Sequence, residues 1–175
     1  MKQSRRAFVV VLVGIGSGCV GTRQSSPTTT ESDTDGDGVP DRADRYPNDS
    51  RRAFRDHSRE GTYTLRPGQF SATALTNSPE ASGEVLHYDV EVEGDTEVDC
   101  LVFEREAYDA YAAGARDVPI VSEYSRTGVT KTTLTRTLDK GEYLFSLDYT
   151  SQVTAPSEQS VTVNLYLELA EPADQ

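Results

Sequence analysis

The sequence contains only two cysteines, Cys19 and Cys100, among its 175 residues. Two cysteines cannot build the disulfide framework that stabilises many small secreted domains, so stability here requires a sufficient apolar core. Cys100 lies in the strand-like run 96–103, where a free cysteine usually behaves as a small buried apolar residue. No recognisable motif places a general base beside it, which argues against a nucleophilic role.

Lysine is also scarce, and the three lysines are Lys2, Lys131 and Lys140. The 29 acidic residues outnumber the 17 Lys and Arg residues and give a formal net charge of −12. A surface of this charge repels phosphates, so nucleic acid is not expected as a partner. The composition resembles that of proteins from halophilic archaea, in which dense carboxylates keep the protein hydrated in concentrated salt. A single acidic residue therefore carries little functional information.

Histidine and recognisable catalytic motifs are scarce as well. His57 lies in a charged segment and His87 on the polar face of a predicted strand, which favours surface positions for both. The chain has no Gly-Xaa-Ser-Xaa-Gly motif, no Walker loop and no His-Glu-Xaa-Xaa-His motif. Nothing selects two of the many carboxylates for glycosidase chemistry. We expect a non-enzymatic protein, with a hydrolase of unrecognised type as the remaining alternative.

The longest apolar run near the N-terminus, residues 7–15, is too short to span a bilayer. It follows a basic start and precedes small residues, which predicts a signal peptide over residues 1–18. The pair Arg5 and Arg6 resembles a twin-arginine signal, which a receptor reads as an export address.

The small residues before Cys19 resemble a lipobox, in which the cysteine becomes the lipidated N-terminus of the mature protein. Gly16 stands where such motifs usually carry Leu, so cleavage elsewhere with release of a soluble product stays open. We expect lipidation of Cys19, which would anchor the protein at the outer face of the cell membrane. The Ser/Thr-rich residues 19–32 would then be a disordered stalk.

Residues 33–44 form an acidic loop with oxygen-bearing side chains at loop positions 1, 3, 5, 9 and 12. Ca²⁺ takes about six to eight oxygen ligands, which a short loop supplies by wrapping around the ion. Gly38 permits the sharp turn, and the carbonyl of Val39 would add a ligand. The predicted carboxylate ligands are Asp33, Asp35, Asp37, Asp41 (directly or through water) and Asp44 (bidentate). The alternative is a solvated acidic linker.

Residues 33–49 resemble a calcium loop of thrombospondin type 3 repeats and, more distantly, of dockerins and EF-hands. Tyr46 stands where the animal repeat carries a cysteine, so its disulfide cannot form. A Ser/Thr/Pro run precedes the loop in place of a helix, which argues against a sensor that opens a helix pair. The resemblance implies a single structural site. Asn48 begins an Asn-Asp-Ser sequon, a possible glycosylation site.

The mixed-charge segment 50–60 is predicted to be a connector that could form a short helix, and residues 171–175 are predicted to be a tail. Between them, apolar and polar residues alternate with a period of two, which is typical of half-buried strands. The strand-like runs are 62–65, 69–75, 86–92, 98–103, 129–138, 143–149 and 161–169, with a short helix at 105–113. This pattern predicts an all-β fold: an independent antiparallel β-sandwich of about seven to eight strands over residues 61–170.

Residues 97–150 resemble the β-sandwich domains of pre-peptidase C-terminal type found in secreted proteins, through the run 98–102 and the Gly-entered strand 141–148. The resemblance implies a non-catalytic accessory or binding role. We therefore expect a calcium-stiffened, lipid-anchored module that presents the sandwich to a surface protein or glycan. The alternative is a carbohydrate-binding or other ligand-binding module with Tyr124 and Tyr166 as an aromatic platform, and the oligomeric state stays open.

Overall fold

The computed structural model describes residues 31–75, 83–157 and 159–173. The predicted export signal with Arg5 and Arg6, the lipidation site Cys19 and almost all of the stalk lie outside these residues. Within them, no helix has the length and apolar character needed to cross a membrane.

The described residues form eight strands and one helix, arranged as two four-stranded antiparallel sheets. Sheet A has the strand order β1-β8-β3-β6, and sheet B has the order β2-β7-β4-β5. This confirms the predicted antiparallel β-sandwich with one short helix. The elements are β1 (Phe54–Leu65), β2 (Gln69–Ala74), β3 (Val85–Val92), β4 (Val98–Glu104), α1 (Arg105–Ala112), β5 (Arg126–Val129), β6 (Lys131–Thr137), β7 (Tyr143–Tyr149) and β8 (Val161–Glu171).

The inner faces of the two sheets meet in one apolar core. Along β8, every second residue from Val161 to Leu169 is buried, whereas Asn164 between them is exposed. Tyr88 of sheet A packs on Phe145 of sheet B with ring centroids 5.1 Å apart. Cys100 is fully buried in this core, and burial raises the pKa of its thiol, which fits the expected apolar role.

A second, smaller apolar cluster lies on the outer face of sheet B, where α1 covers the strands. Tyr111 of α1 stacks on Phe103 with ring centroids 4.8 Å apart, and Tyr108 packs against the same cluster. The proposed platform residue Tyr124 is only 1% exposed, and its hydroxyl accepts a hydrogen bond from Asp139 N at 2.9 Å. Its assignment to an exposed aromatic surface is therefore wrong, while Tyr166 is partly exposed.

The sandwich begins earlier than the sequence pattern indicates. Residues 50–60, predicted to be a connector, contain the first seven residues of β1, which pairs with β8 from Phe54–Glu171 to Leu65–Val161. β1 is an edge strand with an exposed outer face, so it lacks a continuous apolar stripe. A register irregularity between Arg55 and His57 further interrupts the alternation. Glu171, predicted to belong to the tail, ends β8.

Candidate metal centre

Three of the predicted ligands meet in the acidic loop. One carboxylate oxygen from each of Asp33, Asp35 and Asp37 lies within 4.8 Å of the others. Each side chain also accepts a hydrogen bond from the backbone of the loop: from Gly36 N at 2.8 Å, Asp37 N at 3.3 Å and Val39 N at 2.7 Å, respectively. These short-range bonds fix the orientation of each carboxylate.

Three carboxylate oxygens in this region are buried and have no hydrogen-bond partner: Oδ2 of Asp35, Oδ2 of Asp37 and Oδ2 of Asp44. Asp44 is only 8% exposed, and its other oxygen accepts a bond from Tyr46 N at 2.7 Å. Buried polar atoms in folded proteins nearly always have a partner, and an unpaired buried charge is destabilising. A hard cation is the partner that carboxylate oxygens at positions 3, 5 and 12 of such a loop would accept.

The electrostatics of the loop bring Asp44 into the same group. The pKa of Asp35 is raised, first by burial and then by the negative charges of Asp37, Asp44 and Asp33, although the bond from Asp37 N opposes this rise. Asp35 therefore lies in the field of the other three carboxylates, although Asp44 is not part of the 4.8 Å cluster. A divalent cation between them would replace this repulsion with attraction.

Two glycines make this conformation possible. Gly38, predicted at the sharp turn, has a φ of +95°, and Gly36 has a φ of +77°. Both values lie in the left-handed region, where a Cβ costs roughly 1–2 kcal/mol. The backbone conformation thus requires the two glycines, and the aspartates that alternate with them are the predicted ligands.

Asp41 does not join the cluster of Asp33, Asp35 and Asp37. Its two oxygens accept bonds from Thr34 N at 2.7 Å and Thr34 Oγ1 at 2.8 Å. Hydrogen bonds from Ser32 and Thr34 lower the pKa of Asp41. Asp41 therefore links the later part of the loop to its beginning. Because both of its carboxylate oxygens already have partners, a contact with the ion through water is favoured over a direct one. Val39 donates its N–H to Asp37, and its carbonyl remains a predicted ligand.

The acidic loop is docked on the sandwich through the segment that follows it. Arg45 N donates to Ala53 O at 3.0 Å, and Ala53 N donates to Glu171 O at 2.9 Å. The guanidinium of Arg52 lies over the Tyr46 ring, 4.4 Å from its centroid. The Tyr46 hydroxyl is buried and makes no well-formed hydrogen bond. Burial is the main cause that raises the pKa of Tyr46 to about 12, and the neighbouring carboxylate of Glu168 is the second. Packing under Arg52 therefore holds Tyr46 at this junction.

Glu168 anchors this junction and was not indicated by any motif. Its side chain is only 1% exposed and lies 3.3 Å from Arg52 and 3.1 Å from Arg55. Burial alone would raise its pKa, but the hydrogen bond from Tyr166, the Tyr46 hydroxyl and the two arginine charges outweigh burial and lower it. Glu168 falls among the polar residues that alternate with the apolar stripe of β8, so the sequence pattern does not distinguish it from a solvated acid.

Glu168→Gln should lower the free energy of unfolding by about 2 kcal/mol at neutral pH, because both arginines lose a charged partner. The folded-state pKa of Glu168 lies below its ordinary value of 4.5. The stabilisation is therefore present above that value and is lost as pH falls through the folded-state pKa. Urea unfolding against pH should show wild type and variant converging in acid. Glu171→Gln, which changes an exposed residue of the same strand, should have little effect.

Asn48 is exposed, and it lies in a turn closed by the bond from Asp49 N to Tyr46 O at 2.8 Å. Its side chain is thus accessible for the predicted modification. No protein-family model matches this sequence, and no match is found among curated proteins.

Proposed function

We propose that this is an exported, non-enzymatic, lipid-anchored surface protein with a β-sandwich interaction domain. In it, a Ca²⁺-bound loop of residues 33–44, the calcium brace, stabilises the segment that leads into the sandwich. The observation that carries the proposal is the set of three buried, unpartnered carboxylate oxygens of Asp35, Asp37 and Asp44. In a chain with many solvated acids, these atoms are distinguished because they have lost water without gaining a protein partner.

The position of the loop supports a structural role for the ion. A cation bound by Asp33 and Asp44 would join the two ends of the loop, and Asp44 is followed directly by the segment that contacts β1 and β8. Binding energy at the loop would then add to the stability of the edge of sheet A. The segment after the loop continues into a strand, so no helix pair is placed to open on binding.

The environment of two buried acids on neighbouring strands supports a non-enzymatic role. Asp99 and Asp148 are buried cross-strand partners. Asp99 accepts bonds from Gly128 N and from the backbone and hydroxyl of Thr154, all between 2.7 and 2.8 Å. Asp148 accepts bonds from Thr150 and Tyr111. Burial raises the pKa of Asp148, but both carboxylates are occupied by internal donors and hold loops in place.

The proposal of export and anchoring rests on the N-terminal residues alone. The acidic chain offers no basic patch that would attract an anionic membrane surface, so a lipid on Cys19 would supply nearly all of the membrane affinity. Residues 20–32 would then tether the braced domain to the membrane.

Native mass spectrometry of the protein extracted from membranes tests both parts of the proposal. We expect a mature chain that begins at a lipid-modified Cys19 and binds one calcium ion when free Ca²⁺ exceeds about 10⁻³ M. An unmodified N-terminus downstream of Cys19 would contradict the anchor, and a chain that binds no calcium at that concentration, or a variable number of ions, would contradict the brace. Cys19→Ser should release a soluble product or stall processing, whereas Cys100→Ser should leave anchoring unchanged.

A further inference from the structure

The outer face of sheet A contains a groove of about 460 Å³. The strand register places a row of side chains across it from β1 to β6. Because side chains alternate along a strand, this row points away from the core, in which neighbouring Val90 and Leu165 are buried. The row consists of Glu60, Tyr166, Asp89 and Thr133.

A second row, two residues further along each strand, completes the groove. Thr62 Oγ1 donates to Asn164 Oδ1 at 2.7 Å, and Lys131 Nζ lies 3.2 Å from a carboxylate oxygen of Glu91. Thr62, Asn164, Glu91 and Lys131 are all exposed. The groove therefore presents hydroxyl, amide, carboxylate and ammonium groups within reach of one ligand.

Tyr166, the aromatic residue of the groove, is held in place at two points. Its hydroxyl donates to the buried carboxylate of Glu168 and accepts a bond from Arg55 at 3.4 Å. His87 approaches its ring at an angle of 63° with centroids 6.0 Å apart, and His87 is itself held by Thr135 at 2.8 Å. An aromatic ring fixed in this way loses little conformational entropy when a ligand stacks on it.

We propose that this groove binds a neutral saccharide. A sugar ring has an apolar face that can pack on Tyr166, and each of its hydroxyls both donates and accepts, as a mixed set of threonine, asparagine and carboxylate groups requires. The volume lies within the range of about 300–1,000 Å³ typical of small-ligand sites, enough for one or two sugar rings.

The charge of the groove excludes anionic ligands. Three carboxylates (Glu60, Asp89 and Glu91) face one ammonium group, Lys131, which is already paired with Glu91. Phosphorylated, sulfated or uronic sugars would therefore be repelled. A neutral ligand is preferred to a cationic one because more of the outward polar side chains of the groove are uncharged (Thr62, Thr133, Asn164 and Tyr166) than carry a negative charge without an ion pair (Glu60 and Asp89). Saccharide binding by the groove is independent of calcium binding, because none of the groove residues belongs to the acidic loop.

The test is calorimetry on the calcium-loaded full chain with neutral oligosaccharides of glucose, mannose and galactose. Oligouronate and chitosan oligomers serve as the anionic and cationic comparisons. We expect a neutral oligosaccharide to bind, and Asn164→Ala and Thr133→Ala each to weaken binding by about fivefold, the effect of one lost hydrogen bond. Tyr166→Ala should weaken it by roughly tenfold, while Tyr166→Phe keeps the ring and most of the affinity.

Thr137→Ala is the matched control, because Thr137 is an exposed threonine of the same strand outside the groove. It should bind as the wild type does. Failure of every neutral oligosaccharide to bind, unchanged binding by Asn164→Ala and Thr133→Ala, or a preference for chitosan or oligouronate would each overturn the proposal. Calcium binding is measured separately on the same samples, so a failure of the groove is distinguishable from a failure of the brace.

Discussion

Replacing Asp35 and Asp37 together by asparagine should abolish specific one-to-one calcium binding. The change removes two of the three clustered charges and two of the three unpartnered buried oxygens, and the affinity of such loops depends on the number of charged ligands. Wild type should gain about 2.7 kcal/mol of stability when free Ca²⁺ is a hundredfold above its dissociation constant. The double variant should show no such gain in thermal melting, and calorimetry should detect no saturable binding.

Without metal, the same double substitution should not lower the stability of the protein. Negative charges around Asp35 raise its pKa, so neutralising Asp35 and its neighbour Asp37 relieves repulsion, and the metal-free variant should be at least as stable as metal-free wild type. Glu93→Gln with Asp95→Asn is the matched control, since it removes the same charge from an exposed turn. Equal calcium uptake by wild type, cluster variant and control would mean diffuse counter-ion binding. The dissociation constant should be on the order of 10⁻⁴ to 10⁻³ M, because the loop leads into a strand and no helix pair preorganises it.

The fold was predictable where one face of a strand is buried and the other is solvated. In β3 and β8, buried Tyr88 and Leu165 alternate with polar Asp89 and Asn164, and alternation of this kind is typical of a half-buried strand. The acidic loop was predictable for a different reason: the spacing of the aspartates brings three carboxylates together, and the glycines between and after them supply the left-handed backbone of the loop. Both signals are local in sequence.

The contacts between the loop and the sandwich were not predictable, because they join residues far apart in the chain. Arg52 and Arg55 look like solvated charges until Glu168, more than 110 residues later, is placed beside them. The last residues of β1 were predicted as the run 62–65, but its first half was not. An edge strand with a solvated outer face needs few apolar residues, so the charged residues of this half look like those of a connector. The groove likewise depends on the register of four strands, which no single run of residues specifies.

Removal of residues 1–60 should prevent the sandwich from folding stably, although the sequence alone suggests a domain beginning at residue 61. The truncation deletes Phe54 to Glu60, and with it the pairing of β1 along the second half of β8. It also leaves the buried carboxylate of Glu168 without Arg52 and Arg55. An uncompensated buried charge alone costs roughly 3–5 kcal/mol, a large part of the approximately 5–15 kcal/mol that stabilises a typical domain.

Two longer fragments separate the contribution of β1 from that of the metal. A fragment of residues 31–175 keeps the acidic loop and should unfold cooperatively in urea with a midpoint that rises when Ca²⁺ is added. A fragment of residues 52–175 keeps all of β1 and both arginines that contact Glu168, so it should fold but show no calcium response. The fragment beginning at residue 61 should lack near-ultraviolet circular dichroism and a cooperative transition. If it instead unfolds with the midpoint of the 52–175 fragment, the first half of β1 is dispensable. If the midpoint of the 31–175 fragment does not rise with Ca²⁺, the loop is docked on the domain without supporting it.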